Sequence, residues 1–216
     1  YNRRCRQGCI DDTIACPVAL GCLVRIHVGR SQVDTHLQPT VQIAVKGNNE
    51  EEKVKFYSAL YNAHFLPRTF SDVDGSYPKF DGGGQIMKMD HGTYYCDFSQ
   101  WDTYRAVHPL FSILTPSRNG DMAHSLVLKG QQGGWLPIFP SWNSYTAAMI
   151  GDHCIAMIGD AIVKDAPGFD YEEAYTLMRK NAFEANPDSN SYRDGKGRRA
   201  MESYLKYNYV PLEYQV

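Results

Sequence analysis

The chain has 216 residues, enough for one large domain or two small ones with a real core. Its 22 basic and 24 acidic side chains nearly cancel, so no global charge points to nucleic acid or an anionic membrane surface. No apolar run approaches the roughly 18 residues of a membrane-crossing helix, so no membrane span is expected. Tyr1 is not an initiator, and no signal-peptide pattern opens the chain, which therefore reads as cut from something longer and carries no address.

The cysteines are unevenly placed. Cys5, Cys9, Cys16 and Cys22 crowd the start, while Cys96 and Cys154 stand alone. The crowded set has no C-x2-C pair, which speaks against a structural zinc site, and the connectivity of any disulfides cannot be read from spacing. Cys96 and Cys154 are expected to be buried free thiols.

In chain order, residues 1–40 form an irregular, cysteine-rich segment without steady helical period. A loose strand is expected over Cys22 to Val28, and a short alternating one over Val41 to Val45. A helix then opens at Asn49, which can cap it, with Glu50, Glu51 and Glu52 in its positive first turn. Val54, Tyr57, Tyr61 and His64 or Phe65 make its apolar stripe, and Pro67 stops it. Residues 68–94 read as loop with one hairpin, in which Gln85–Met89 and Gly92–Cys96 can pair. Gly82 to Gly84 lack the flanking strand and helix of a phosphate-cradling loop.

The second helix is expected from about Ser99 to Leu114, kinked at Pro109 and ended by Pro116. At its mouth, Ser99 can serve as N-cap, and Trp101, Asp102 and Arg105 lie close together. An indole, a carboxylate and a guanidinium at one helix start suit a polyhydroxylated ligand: the ring stacks on a sugar face, and the charged pair takes adjacent hydroxyls. A second reading makes Asp102 a capping-box residue with Arg105 as its surface partner.

A third helix spans about Gly120 to Lys129. The loop QQGGWLPIFP (131–140) follows and either presents Trp135 to a ligand or uses it to plug the core. The fourth helix, about Tyr145 to Asp165, carries a buried stripe of Ile150, Cys154, Ile158 and Ile162. A small-residue stripe of Gly151, Ile155 and Gly159 suits close helix packing. Asp152, His153 and Asp160 are polar residues on this apolar helix and need partners, either a neighbouring helix or a ligand. Asp170 caps a fifth helix with Glu173 completing D-x-x-E, and Tyr171, Ala174, Tyr175, Met178 and Ala182 form its stripe. Arg193, Lys196, Arg198 and Arg199 give the next loop positive charge, read as a solvated face. A sixth helix covers about Arg198 to Tyr207, packing Met201, Tyr204 and Leu205.

Five collinear stretches carry a family resemblance: FYSALYNAHFLPRTFSDVDGSY (56–77), DFSQWDTYRAVHPLFSILTP (97–116), GGWLPIFPSWN (133–143), AMIGDHCIAMIGDAIVKDAPGFD (148–170) and YEEAYTLMRKNAF (171–183). From about Val41 onward the chain resembles glycoside hydrolase family 92, the calcium-dependent, inverting exo-α-mannosidases. The resemblance implies a mainly α fold: residues 41–216 as the N-terminal part of an (α/α)6 toroid, about half of its helices, with a short β-hairpin and an irregular start. It implies a mannose-containing glycan, of N-glycan or mannan type, as substrate. Trp101, Asp102 and Arg105 would recognise the terminal mannose, with Trp135, Asp152 and His153 as further candidates.

No catalytic residue is assigned within this chain. In the family, the motifs that supply acid, base and the main calcium ligands follow the matched region. The expectation is therefore a fragment that is inactive alone and is partnered by the remainder of its own toroid, whose absence leaves apolar edges exposed. The alternative function is a non-catalytic carbohydrate-binding or interaction module on the same scaffold.

Overall fold

The structure is a computed structural model that describes residues 24–25, 43–47, 49–188 and 195–214. Cys5, Cys9, Cys16 and Cys22, with nearly all of the irregular first segment, lie outside the described residues. Two compact units are formed, residues 1–62 and 63–216. Seven helices and three two-stranded sheets make up the described residues, and none of these helices is long and apolar enough to cross a membrane.

In the first unit, β1 (Val24–Arg25) pairs antiparallel with β2 (Ala44–Val45), joining two segments expected as strands. Helix α1 (Glu50–Ala63) opens as its sequence dictates: Asn49 Oδ1 accepts from the amides of Glu51 at 3.0 Å and Glu52 at 3.3 Å. Tyr57 fastens α1 to the strand, its hydroxyl donating to Ile43 O at 2.9 Å and accepting from Val45 N at 3.1 Å. Val54 and Tyr61 of the expected apolar stripe are exposed, at 64% and 68%.

In the second unit, β3 (Arg68–Thr69) pairs with β6 (Tyr95–Cys96), and β4 (Ser76–Pro78) forms a hairpin with β5 (Ile86–Lys88). This corrects the expected hairpin. The segment 92–96 leaves β5 because Tyr94, Tyr95 and Cys96 are all buried, so the chain turns inward to the core rather than back along its neighbour.

The expected second helix is two: α2 (Gln100–Thr103) and α3 (Val107–Leu114). The break falls at Tyr104 to Ala106, where Ala106 has φ −137°, and not at Pro109. Pro109 is the third residue of α3, where an amide has no intrahelical acceptor, so the ring is accommodated without a kink. Pro116 likewise starts a helix instead of ending one, standing at the N-terminus of α4 (Pro116–Gly133). Helix α4 runs longer at both ends than its expected span and closes at Gly134, φ 87°.

Helix α5 (His153–Val163) is shorter than expected, because residues 145–152 do not form helix; Met149 has φ 48° and Gly151 φ 150°. Its buried stripe is Cys154, Met157, Ile158 and Ala161, while Ile150 is 51% exposed. The close approach expected at Gly159 occurs instead at Gly120 of α4, where a Cβ would overlap the Pro167 carbonyl oxygen. Asp160 finds its partners in protein, pairing with Lys164 at 2.7 Å and receiving a long hydrogen bond from Ser112 Oγ at 3.4 Å. Helix α6 (Tyr171–Phe183) is capped as expected: Asp170 accepts from the amides of Glu172 and Glu173. Helix α7 (Met201–Tyr207) buries Met201 but leaves Tyr204 and Leu205 half exposed.

One core joins α3, α4, α5 and α6, with Phe98, Phe111, Leu126, Leu136, Met157 and Ile158 among its members. Cys96 and Cys154 are buried free thiols. Lys129 is fully buried; its Nζ donates to Tyr95 O at 2.6 Å and lies 3.6 Å from the Tyr94 ring centroid. Burial pushes its pKa down to about 7.

Candidate functional site

Ser99 occupies the N-cap position of α2, yet its side chain makes no capping bond. Its hydroxyl instead donates to Asp102 Oδ2 at 2.5 Å. The capping-box reading is thereby corrected, because Asp102 is held by a hydroxyl and not by amides of its own first turn. The carboxylate is exposed, with acceptor capacity left over. Arg105 does not act as its surface partner; the guanidinium lies 5.2 Å from the centroid of the Tyr104 ring. Trp101, on the same short helix, is 41% exposed.

The break after α2 places Tyr104 where His153, the first residue of α5, can meet it. Their rings stack with centroids 4.6 Å apart and an interplanar angle of 22°. Trp101 meets the same imidazole at 5.1 Å and 79°, in an edge arrangement. His153 is thus wedged between a phenol and an indole. Its pKa is lowered by burial and then by the charge of Arg105, so the ring is neutral at pH 7. Its buried Nε2 has no hydrogen-bond partner. Gly151 packs against that nitrogen: a Cβ there would stand 2.5 Å from it.

Asp152 precedes this histidine and forms an ion pair with Arg198. The pair lines a cavity of about 300 Å³ whose other walls include Ile138, Ile150, Met201 and Tyr204. The positive loop is therefore not wholly a solvated face, since Arg198 engages Asp152 and Lys196 engages Asp81 at 2.5 Å; Arg193 lies outside the described residues. Trp135 belongs to the core. It is 8% exposed, packs with Phe80 and Tyr145, and receives Tyr145 in a pair of hydrogen bonds at its backbone. Of the two readings of its loop, the structure corrects the ligand-presenting one: burial leaves no indole face open for stacking. Its ring backs Gly197, where a Cβ would lie 3.3 Å from Trp135 Cε3, and Gly197 lines the cavity.

The structure therefore brings Trp101, Asp102, Arg105 and His153 to one mouth, sets Asp152 on the adjoining cavity, and sinks Trp135 behind it. The sequence reading assigns Tyr104 no role at this site and gives Arg198 only a place on a solvated face. For Tyr104 a signal existed, its position three residues after Trp101 on the same turn. For Arg198 none existed, because its partner lies far away in sequence. A second cavity, about 410 Å³, opens between the 64–69 segment and α4, with Arg68, Arg118, Tyr95 and Phe111 on its walls.

Residues 37–216 match the glycosyl hydrolase family 92 catalytic domain, and the chain belongs to that family. It is similar to a family GH92 α-mannosidase of Bacteroides thetaiotaomicron, solved alone and in complex with mannoimidazole. That likeness has 35% identity, a TM-score of 0.65, and coverage of 75% of this chain and 20% of that one. It is also similar to an inverting family GH92 mannosidase of Bacteroides thetaiotaomicron VPI-5482, at 29% identity and TM-score 0.67, covering 77% of this chain and 22% of that one. The chain thus spans about one fifth of the length of these relatives. No match was found among curated proteins. The fold is mainly α, the helices forming part of an (α/α)6 toroid.

The family is calcium-dependent in general. Calcium takes about six to eight oxygen ligands. Among the described residues, the group of ligand-type side chains gathered within 4.8 Å is Asp90, His91 and His124. Two imidazoles and one carboxylate are not an oxygen cage, and they do not fit calcium.

Proposed function

We propose that the chain is the N-terminal part of the toroid domain of an inverting α-mannosidase and builds part of the wall that grips the terminal mannose of N-glycan or mannan-like substrates. The observation that carries this reading is the exposed trio of Trp101 and Asp102 on α2 and Arg105 in the break that follows it. Trp101 offers a ring face to the apolar side of a hexose. Asp102 accepts from a sugar hydroxyl while Ser99 holds its other oxygen, and Arg105 donates to an adjacent hydroxyl. His153, neutral and locked by Tyr104, fixes the tilt of the indole. Asp152 and Arg198 extend the polar wall into the cavity beside it, and Trp135 stiffens that wall from behind.

These residues bind and orient. An inverting glycosidase also needs an acid and a base whose carboxyl groups stand roughly 6.5–9.5 Å apart, with the attacking water between them. The proposal assigns both, together with the calcium ligands, to polypeptide outside this chain. It also assigns a partner to the open apolar side chains Ile113, Val163 and Phe183, which are 57%, 83% and 58% exposed: the remaining helices of the same toroid.

Hydrolysis of 4-nitrophenyl α-mannoside tests the reading. The chain alone should release no nitrophenol, while a version extended through the remaining toroid should do so and stop when calcium is chelated. Turnover by the chain alone, or a folded extended enzyme inert toward α-mannosides, would overturn it.

A further inference from the structure

A cluster that shares no residue with the Trp101 mouth has no role in the function above. Asp90 and His91 sit in the turn that follows β5. His124 sits on α4, with its ring stacked on His91 at 4.9 Å and 19°. One donor atom from each of the three lies within 4.8 Å of the others. We propose that Asp90, His91 and His124 bind a borderline divalent transition metal, with zinc as the representative ion.

The hydrogen bonds around His91 set its ring for this role. Its Nε2 stands 2.9 Å from the Gly168 carbonyl oxygen. A carbonyl only accepts, so Nε2 carries the hydrogen. Nδ1 stands 2.8 Å from Asp90 Oδ1, where a protonated ring donates to the carboxylate and a deprotonated one offers its lone pair to a metal. A metal ion would take the place of that Nδ1 proton, between the imidazole and the carboxylate. An imidazole whose far N–H is anchored on a backbone carbonyl has the second-shell support usual for a metal-ligating histidine. His124 adds the third donor, and its buried Nδ1 has no hydrogen-bond partner in the protein. Asp121, one turn before His124 on α4, accepts from Thr93 N at 3.1 Å and adds negative charge to the same face.

The donor set selects the ion. Two imidazoles and a carboxylate suit zinc and its first-row neighbours, and not calcium. Tetrahedral zinc holds its ligands roughly 3.4 Å apart, so the three donors need to close by little more than an ångström. Asp90 and His91 are exposed on 76% and 50% of their side chains and can rotate without repacking. The ion would clasp the turn after β5 to α4 and, through Gly168, to the loop before α6.

Cobalt(II) is the probe, as a coloured stand-in for zinc. The chelator-stripped chain should take up one equivalent with visible d–d bands, which excess zinc(II) removes and calcium(II) does not. His91→Ala and Asp90→Asn, both at exposed positions, should each weaken cobalt binding at least about tenfold with the far-UV circular dichroism spectrum unchanged. His124→Ala should do the same, and if that variant unfolds the other two decide. A folded chain without d–d bands would overturn the proposal. So would bands that survive His91→Ala, and thiolate-to-cobalt charge transfer would then place the metal on cysteines.

Discussion

The imidazole of His153 lies over the ring of Tyr104 at 4.6 Å and presents Trp101 with a perpendicular neighbour at 5.1 Å. This contact ties the first turn of α5 to the break between α2 and α3, and so it sets the indole's orientation from 52 positions away. Trp101→Ala removes a half-exposed side chain. Its effect on stability should stay below about 1 kcal/mol. Loss of a stacking face worth about 1 kcal/mol should weaken α-mannoside recognition five- to tenfold, read as KM in the complete enzyme.

Gly151 tests the same contact from the backbone. Its φ of 150° and the 2.5 Å approach of a would-be Cβ to His153 Nε2 leave no room for a side chain. Gly151→Ala should cost roughly 1–3 kcal/mol and lower the thermal midpoint, while also shifting tryptophan fluorescence as His153 is pushed from Trp101. A variant with wild-type melting and emission would contradict the placement of His153.

His108 makes a pH prediction. It is buried, and burial holds its pKa down at about 4 from 6.5. The unfolded chain therefore binds the additional proton between pH 6.5 and 4, so stability falls as pH drops through that window. The full shift corresponds to about 3 kcal/mol. Urea denaturation at a series of pH values should show this slope, and His108→Leu should flatten it relative to wild type. Equal slopes in the two proteins would contradict a neutral buried imidazole.

Asp170 caps α6 through two amides, at 2.9 and 3.1 Å. Asp170→Ala should cost about 1 kcal/mol, and Asp170→Asn, which keeps the acceptor, much less. Thermal melts of the two variants check the order.

What could be read from sequence was what neighbouring residues decide. The caps at Asn49 and Asp170 follow from spacing alone, whereas the buried face of α6 is Ala174, Leu177 and Asn181, with Tyr175 of the expected stripe 56% exposed. The break at Tyr104 to Ala106 does not: apolar periodicity runs straight through it, and the chain divides because Thr103 and His108 are both drawn into the core. Pro116 was ambiguous in principle, since a proline that cannot continue one helix is well suited to begin the next. At the site, Trp101, Asp102 and Arg105 were legible because they are adjacent. The Tyr104–His153 stack and the Asp152–Arg198 pair were not, because each joins residues more than 40 positions apart. The depth of Trp135 was undecided because a loop tryptophan between prolines can face either way, and the Tyr145 hydroxyl settles it inward.

The central claim is that the exposed carboxylate at the start of α2 holds a hexose hydroxyl. The most direct test is kcat/KM of the complete enzyme for 4-nitrophenyl α-mannoside with Asp102→Asn, beside its thermal midpoint. The account predicts a loss of at least about tenfold, one charge-assisted hydrogen bond being worth roughly 1.5–3 kcal/mol, with the midpoint nearly unchanged. An unchanged kcat/KM in a folded Asp102→Asn enzyme would contradict it.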